Sequence, residues 1–383
     1  NLLTGYSSLA PADALKTMEG AVDRALALND QLGEAYLSLA QINEFYERWD
    51  DAESAYEKAL ELSPGYATVY HWYGNYLTRY PHRVEEASAM LARAVELDPL
   101  SSIIRLSQTG TLVTLGRYEE AERELNRLLE LDPEFSPAYS SMAGLKNITG
   151  RFDEQVIWLK KALELDPGRV NLYQNMAFAY LDMGDEEALP RLQQAIEEID
   201  EQHWAIGFID AVRNINDKNF AGAIESLNWI SNKIGPVPGF QGFFAYIYML
   251  GGDFDKARQA LEIAEPRFFE PSQWRAAIEL NAGQGCGVAY VLMRTGDEAM
   301  GQDLLNMTIS YLENELPAYV DHADAYNQGC YAVAGDIEKA LQSLQLNLEH
   351  GHIGGWWFWS QLPQMEPLRG DPRFEAIMLA IRE

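Results

Sequence analysis

The phrase Ala-Leu-Glu-Leu-Ser-Pro at residues 59–64 returns, barely altered, at 94–99, 128–133 and 162–167. Its prolines, Pro64, Pro99, Pro133 and Pro167, stand 35, 34 and 34 residues apart. A period of this length constrains a chain more tightly than composition does. One such unit cannot bury its own apolar face, so neighbouring units must stack to make a core.

Between the prolines, apolar residues recur three and four apart, which predicts amphipathic helices rather than strands. Tyr36, Leu39 and Ala40 line one helix, Ala52, Tyr56, Ala59 and Leu60 the next, and the turn "ERWDD" joins them. The residue before proline is driven out of the α region, so Asp-Pro should end each second helix. The proline itself is expected in the first turn of the helix that follows. Each unit therefore reads as a helix hairpin. A second marker is the small residue opening each second helix: Ala52, Ala87, Ala121, Ala188, Ala223 and Ala257, with Gln155 the exception, then Gly301 and Ala340 at looser spacing. Small residues face them from the first helices: Ala40, Gly74, Ala177, Ala211, Ala245 and Ala289. Such pairs let two backbones approach closely, while Tyr56, Leu91, Leu125, Leu159, Leu192, Leu227, Leu261 and Leu305 fill the space beyond. Overpacking a contact of this kind costs about 1–3 kcal/mol.

An aromatic, Leu, Gly or Ala, aromatic order on the first helix, followed by Ala, large, Ala, Pro on the second, resembles the tetratricopeptide repeat. The match is strong over Tyr36–Pro64, Tyr70–Pro99 and Tyr139–Pro167, and degenerate at Arg105–Pro133, where Gln108 and Thr109 replace an apolar and a small residue. The resemblance implies an all-α fold: a right-handed α-solenoid of stacked helix hairpins with a C-terminal capping segment. The expected organisation is a partial repeat over 1–32, whose first helix lies around Leu2–Leu9, and a regular array over 33–234. Irregular repeats follow over 235–350, past a "GPVPG" break at Gly235–Gly239, and an aromatic cap and helix over 351–383.

The charge bounds the partners. Lys plus Arg number 29 against 58 Asp plus Glu, a formal charge of −29. Such a chain repels nucleic acid and anionic membranes and favours a basic partner. No apolar run approaches the length of a bilayer span, so no membrane insertion is expected. The chain opens at Asn1 within a helical pattern and reads as a piece of a longer protein, in a cytoplasmic rather than periplasmic setting. Its only cysteines, Cys286 and Cys330, make no disulfide framework. Cys286 reads as a small buried hydrophobe, and the sequence leaves open whether the two meet.

Catalytic and metal signatures are not found. The six histidines, His350 and His352 among them, show neither H-E-x-x-H nor cysteine-linked spacing. "NAGQGCGVAY" at 281–290 lacks the Lys-Ser/Thr of a phosphate loop, and its glycines fit close helix packing. Carboxylate pairs such as "VEEA" and "YEEA" fall where helices begin, at the positive end of the dipole. The expectation is a non-enzymatic protein with no cofactor and no metal.

Resemblance to the tetratricopeptide repeat implies a groove lined by the first helices that takes a peptide or protein segment. The matching positions are Glu34, Leu37, Gln41 and Glu44, then His71, Trp72, Asn75, Thr78 and Arg79, then Leu106, Gly110 and Val113. Asn171, Gln174, Asn175 and Phe178 are the corresponding set further on. Of these, Gln41, Glu44, His71, Trp72, Asn75, Arg79, Gln174, Asn175 and Phe178 are the candidate partner-binding residues. A subgroup of the family clamps a C-terminal carboxylate with Lys and Asn; here His71 and Gln174 stand where lysines are required.

The tail contains Trp356–Trp359, Pro363, Pro367–Arg369 and Asp371–Phe374. This ending resembles the C-terminal arrays of bacterial signalling proteins linked to a cyclase, a winged helix or a kinase. It implies a docking or sensory module. Asp371 is expected to cap a last helix with Pro372 in its first turn, which makes "RGD" at 369–371 a poor adhesion loop. Trp356 or Trp357, and Phe374, are expected to bury against the last hairpin as a plug. The alternative is a small-molecule sensor, with its site near Pro236–Pro238.

Overall fold

The computed structural model describes residues 11–235, 238–315 and 323–382, and every regular element among them is helical. The fold is all-α, a solenoid of helix hairpins. Two compact units divide it, residues 1–115 and 116–383.

In the first unit, α1 (Pro11–Leu28) packs on the hairpin of α2 (Gly33–Phe45) and α3 (Trp49–Leu62). The hairpin of α4 (Ala67–Leu77) and α5 (Val84–Leu97) follows, then α6 (Ser102–Thr114). In the second unit, α7 (Tyr118–Leu131) precedes the hairpins α8 (Ser136–Ile148) with α9 (Phe152–Leu165) and α10 (Val170–Asp182) with α11 (Ala188–Glu197). Next come α12 (Trp204–Asn216) with α13 (Phe220–Ile234), and α14 (Pro238–Leu250) with α15 (Phe254–Ala264). The last two are α16 (Trp274–Arg294) with α17 (Glu298–Asn314), and α18 (Ala323–Ala334) with α19 (Ile337–His350). A short α20 (Trp356–Trp359), a 3₁₀ stretch (Pro363–Leu368) and α21 (Pro372–Arg382) end the chain.

The small-against-small reading holds. Ala40 and Ala52, Ala211 and Ala223, and Ala245 and Ala257 are wholly buried, as are Leu91, Leu125, Leu227 and Leu305. A β-carbon on Gly74 would sit 2.7 Å from Leu91 Cγ, and one on Gly301 would meet the Ala289 carbonyl at 2.6 Å. Gln155, the exception, is buried and accepts a hydrogen bond from Asn147 Nδ2 (3.1 Å).

The Asp-Pro signal works one step differently from its sequence reading. Second helices stop at Leu62, Leu97, Leu131 and Leu165, but the prolines do not enter the next helix. Each lies second in a four-residue turn closed by a backbone bond: Tyr66 N–H to Ser63 O, Ser101 to Asp98, Phe135 to Asp132 and Arg169 to Asp166. Proline's fixed φ suits that position of a turn, and the next helix opens three residues after it.

From Gly116 onward, a left-handed residue follows the first helix of each hairpin, whereas α4 and α5 are joined through a 3₁₀ turn at Pro81–Arg83. Gly116, Gly150, Gly184, Lys218 and Gly252 all have φ between 58° and 76°, at intervals of 34 residues. Arg151 N–H bonds to Lys146 O, Asp185 to Tyr180, Asn219 to Asn214 and Asp253 to Tyr248, the six-residue closure that satisfies orphan helix carbonyls. The strict period thus runs through the expected break at 235 as far as Gly252. Only beyond it do the units lengthen, to Gly296 and Gly335. The "GPVPG" core at 236–237 and the first helix expected around Leu2–Leu9 lie outside the described residues.

Candidate binding surfaces on the first helices

In the first unit, α2, α4 and α6 bring together most of the residues expected to face a partner. Asn75 Nδ2 donates to His71 Nε2 (3.0 Å), and the same nitrogen lies 2.9 Å from Ser107 Oγ. Burial pushes the His71 imidazole down, so the ring is neutral. Arg79 approaches Glu44 Oε2 at 3.4 Å, and its guanidinium carbon stands 5.1 Å from the Trp49 ring centre. Burial raises the Glu44 carboxyl; a hydrogen bond from Tyr56 and the charge of Arg79 oppose it. Trp72, Gln41 and Asn75 remain partly exposed, whereas Leu37 belongs to the core. The family's groove positions include Leu37, but here it packs in the apolar cluster of Ala59, Val69 and Tyr73 from α3 and α4.

The other three candidates, Gln174, Asn175 and Phe178, stand on α10 in the second unit. Asn175 is exposed and Gln174 buried. Phe178 does not face an open groove: its ring lies 5.6 Å from that of Trp357. The chain's own tail occupies this face.

The path of the tail departs from the expected plug. Phe374, Ile377, Met378 and Ile381 of α21 do pack with Leu341 and Leu344 of α19, the last hairpin. Of the two tryptophans expected there, Trp356 is partly buried and packs against this cluster, and Trp357 goes elsewhere. It is 3% exposed and joins the cluster of Phe208 and Phe244 from α12 and α14. Phe358 stacks near Phe243 (5.4 Å) and meets Tyr246 edge-on (6.2 Å). Residues 351–365 therefore lie across the first helices α8, α10, α12, α14, α16 and α18, rather than over the end of the array.

Local sequence explains the route. Gly351 ends α19 at φ 75° and Gly355 precedes α20 at φ 72°, two left-handed turns that any other residue would strain. A β-carbon on Gly150 would lie 3.2 Å from the Gly351 carbonyl, so the tail passes tightly by the α8–α9 turn. The backbone N–H of Gly355 donates to both carboxylate oxygens of Asp182 (2.8 and 3.0 Å), and Trp356 Nε1 donates to the Asp182 carbonyl (3.3 Å). His352 Nε2 pairs with the Tyr118 hydroxyl at 2.9 Å. Asp182 is 7% exposed, and burial pushes its carboxyl up to about 7 against the two backbone hydrogen bonds from Gly355 and Trp356. No sequence motif marked Asp182; an acid at the end of a first helix looks like any solvated charge.

Asp371 accepts from Arg373 N–H (2.8 Å) with Pro372 opening α21, as expected. Arg369 of "RGD" donates to the carbonyls of Ser360 (3.3 Å) and Leu362 (3.0 Å), at the end of α20. Both charged residues of the tripeptide are therefore engaged in the fold.

Cys286 on α16 and Cys330 on α18 form a disulfide, with α-carbons 5.2 Å apart. Cys286 is buried as expected, yet it is bonded rather than a lone hydrophobe. The flanking glycines serve other neighbours of α16: a β-carbon on Gly285 would meet Thr308 Oγ1 of α17 at 2.6 Å, and one on Gly287 the Tyr246 hydroxyl of α14 at 3.2 Å. Among the described residues no group of three His, Cys, Asp or Glu could hold a metal ion, and no helix is long and apolar enough to cross a membrane.

Comparison with known proteins identifies the repeats. Models described as tetratricopeptide repeat match residues 80–145, and residues 31–66 and 136–169. The chain thus carries tetratricopeptide repeats over these stretches. No curated protein matches it. Among solved structures, a chain of an APC/C hetero-tetramer superposes with a TM-score of 0.52 at 14% identity, covering 96% of this chain and 72% of that one. A tetratricopeptide repeat protein from Parabacteroides merdae gives 0.48 at 15% identity, over 72% of this chain and 98% of that one. A third, YrrB, described as having an unusual peptide-binding site, gives 0.37 at 23% identity, over 48% and 94%. The first of these supports the fold; none assigns a partner.

Proposed function

We propose that this chain is a non-enzymatic scaffold that holds a peptide or protein segment against the first helices of its hairpins. One observation carries the reading. In the second unit an aromatic stretch of the protein's own chain, part of it the short helix α20, already lies there, held by the Asp182 carboxylate on a backbone N–H and by ring contacts to Phe178 and Phe243. Main-chain hydrogen bonds give such a segment its hold and side-chain pockets its choice.

For a partner in trans, the first unit offers the better surface. Trp72 supplies a half-buried ring, the partly exposed Asn75 amide is fixed from below by the buried His71, and Gln41 lies on the adjacent first helix. Arg79 is partly neutralised by Glu44, so the surface adds little positive charge to an acidic chain, and a basic segment is favoured. The tail's likeness to C-terminal signalling arrays supports placing this scaffold as the docking part of a larger bacterial signalling protein. The Cys286–Cys330 bond supports an oxidising compartment, where such bonds persist, over the cytoplasm.

Peptide selection from a random library on the intact chain tests the proposal. Selected peptides should share a motif and lose about thirtyfold in affinity to a Trp72→Ala/Asn75→Ala variant, the scale of an interface hot spot. Enrichment of no peptide, or equal binding to the variant, refutes it.

A further inference from the structure

Under the tail, the second unit keeps a cavity of about 430 Å³. Its walls come from four first helices and from the tail that crosses them. Tyr246 of α14, Phe358 and Trp359 contribute rings, while Asn147 of α8, Gln328 of α18 and Gln364 of the 3₁₀ stretch contribute amides. The Cys286–Cys330 disulfide forms part of the floor. The volume lies within the range of small-ligand sites, roughly 300–1,000 Å³.

The lining chemistry narrows the occupant by elimination. None of the described residues around the cavity is an acid, a lysine or an arginine. A charged ligand would enter without a counter-charge, at a large desolvation penalty. A hydrocarbon fails for the opposite reason. It would displace water from a wall that carries the amides of Asn147, Gln328 and Gln364 and give them no hydrogen bond in return. A wall of amides calls for a ligand that supplies several donors and acceptors at once. The rings call for a flat apolar face on the same molecule. A planar amide end carries a donor and an acceptor side by side, which adjacent hydroxyls satisfy together.

We propose that this cavity binds a neutral sugar of pyranose to disaccharide size, with its hydroxyls on the helix and tail amides and its C–H face on the tail rings. Two of the rings and one of the amides belong to the tail. Sugar binding therefore ties residues 351–365 to the first helices and stabilises the closed arrangement by mass action. The site is distinct from the peptide surface of the first unit, so either assignment can fail without the other.

Calorimetric titration of the intact, oxidised protein tests it, using glucose, galactose, N-acetylglucosamine, maltose and cellobiose, with adenosine and uridine as the flat but differently donating alternatives. At least one sugar should saturate and quench tryptophan fluorescence through Trp359, while the nucleosides do not bind. Gln364→Leu should weaken that sugar about tenfold, the effect of one lost buried hydrogen bond, and Trp359→Leu should weaken it likewise. Trp72→Ala should leave it unchanged. Circular dichroism confirms that each variant is folded, and the two variants report separately. Absence of saturation by every sugar overturns the proposal. So does saturation by a nucleoside alone, or a sugar affinity that neither Gln364→Leu nor Trp359→Leu changes.

Discussion

Replacing Asp182 by asparagine isolates the contact that seats the tail. Asp182 is buried at the end of α10, and its carboxyl is pushed up to about 7 from an ordinary value of 3.8. The folded state therefore holds a proton that the unfolded chain releases at much lower pH. The stabilising contribution is fully present below about 3.8 and is lost as the pH rises through about 7. Three pKa units correspond to about 4 kcal/mol at about 1.4 kcal/mol each. That is the upper bound on the loss, because an ionised Asp182 can also escape its burial by letting Gly355 and the tail detach. Asparagine keeps an oxygen for the Gly355 N–H and cannot ionise. Asp182→Asn should therefore match the wild type near pH 4 and become progressively more stable than it towards pH 8. The measurement is urea unfolding followed by tryptophan fluorescence across this range, with the difference between the two proteins cancelling the other carboxylates. Hydrogen exchange of residues 351–362 gives the local version: protection should fall with pH in the wild type and stay level in the variant, after correction for intrinsic rates. A constant stability difference from pH 4 to pH 8 would refute the reasoning.

Two other perturbations have magnitudes that follow from the fold. Reducing the Cys286–Cys330 bond, or changing Cys330→Ala, opens a loop closed over a sequence separation of 44, worth about 4 kcal/mol in the chain-entropy account; a melting temperature unaffected by reductant would contradict it. Lys146 on α8 is 1% exposed and pairs with Glu122 (2.5 Å) and Glu154 (3.5 Å). Changing both acids to glutamine leaves a buried ammonium without a counter-charge and should cost about 3–5 kcal/mol by denaturant titration, whereas Glu122→Gln alone should cost less.

Much of the architecture was legible because it is local and repeated. Spacing of small and large residues such as Ala40, Ala52 and Leu91 announces helix hairpins, and the Asp-Pro positions mark where second helices end. The 34-residue period runs through Lys218 to Gly252, in step with the small-residue marker that reaches Ala257, and from Gly116 onward one left-handed residue per unit sits at the hairpin turn. The residues of α2 and α4 expected to face a partner were carried over from the repeat family's groove positions; the structure leaves Gln41, Trp72 and Asn75 partly exposed and buries His71. Leu37 was misassigned because a neighbouring helix, not its own, decides its exposure. Lys146 reads as an ordinary exposed lysine until its neighbours on α7 and α9 close over it.

The tail marks the boundary between the two kinds of information. Its tryptophans announced burial, but an indole gains about as much free energy against one apolar face as against another. The sequence by itself determined that Trp356 or Trp357 would be covered, that α21 would begin at a capped Asp-Pro, and that the chain would be a solenoid of hairpins. Only the tertiary structure decided that Trp357 lies on Phe178 rather than on the last hairpin, that Gly355 meets an acid 173 residues away, and that Cys286 and Cys330 bond. The first two outcomes depend on which distant surfaces two left-handed glycines bring together, and the third on how the first helices of two successive hairpins pack. A periodic code that specifies each unit from within says nothing about a segment that leaves the period.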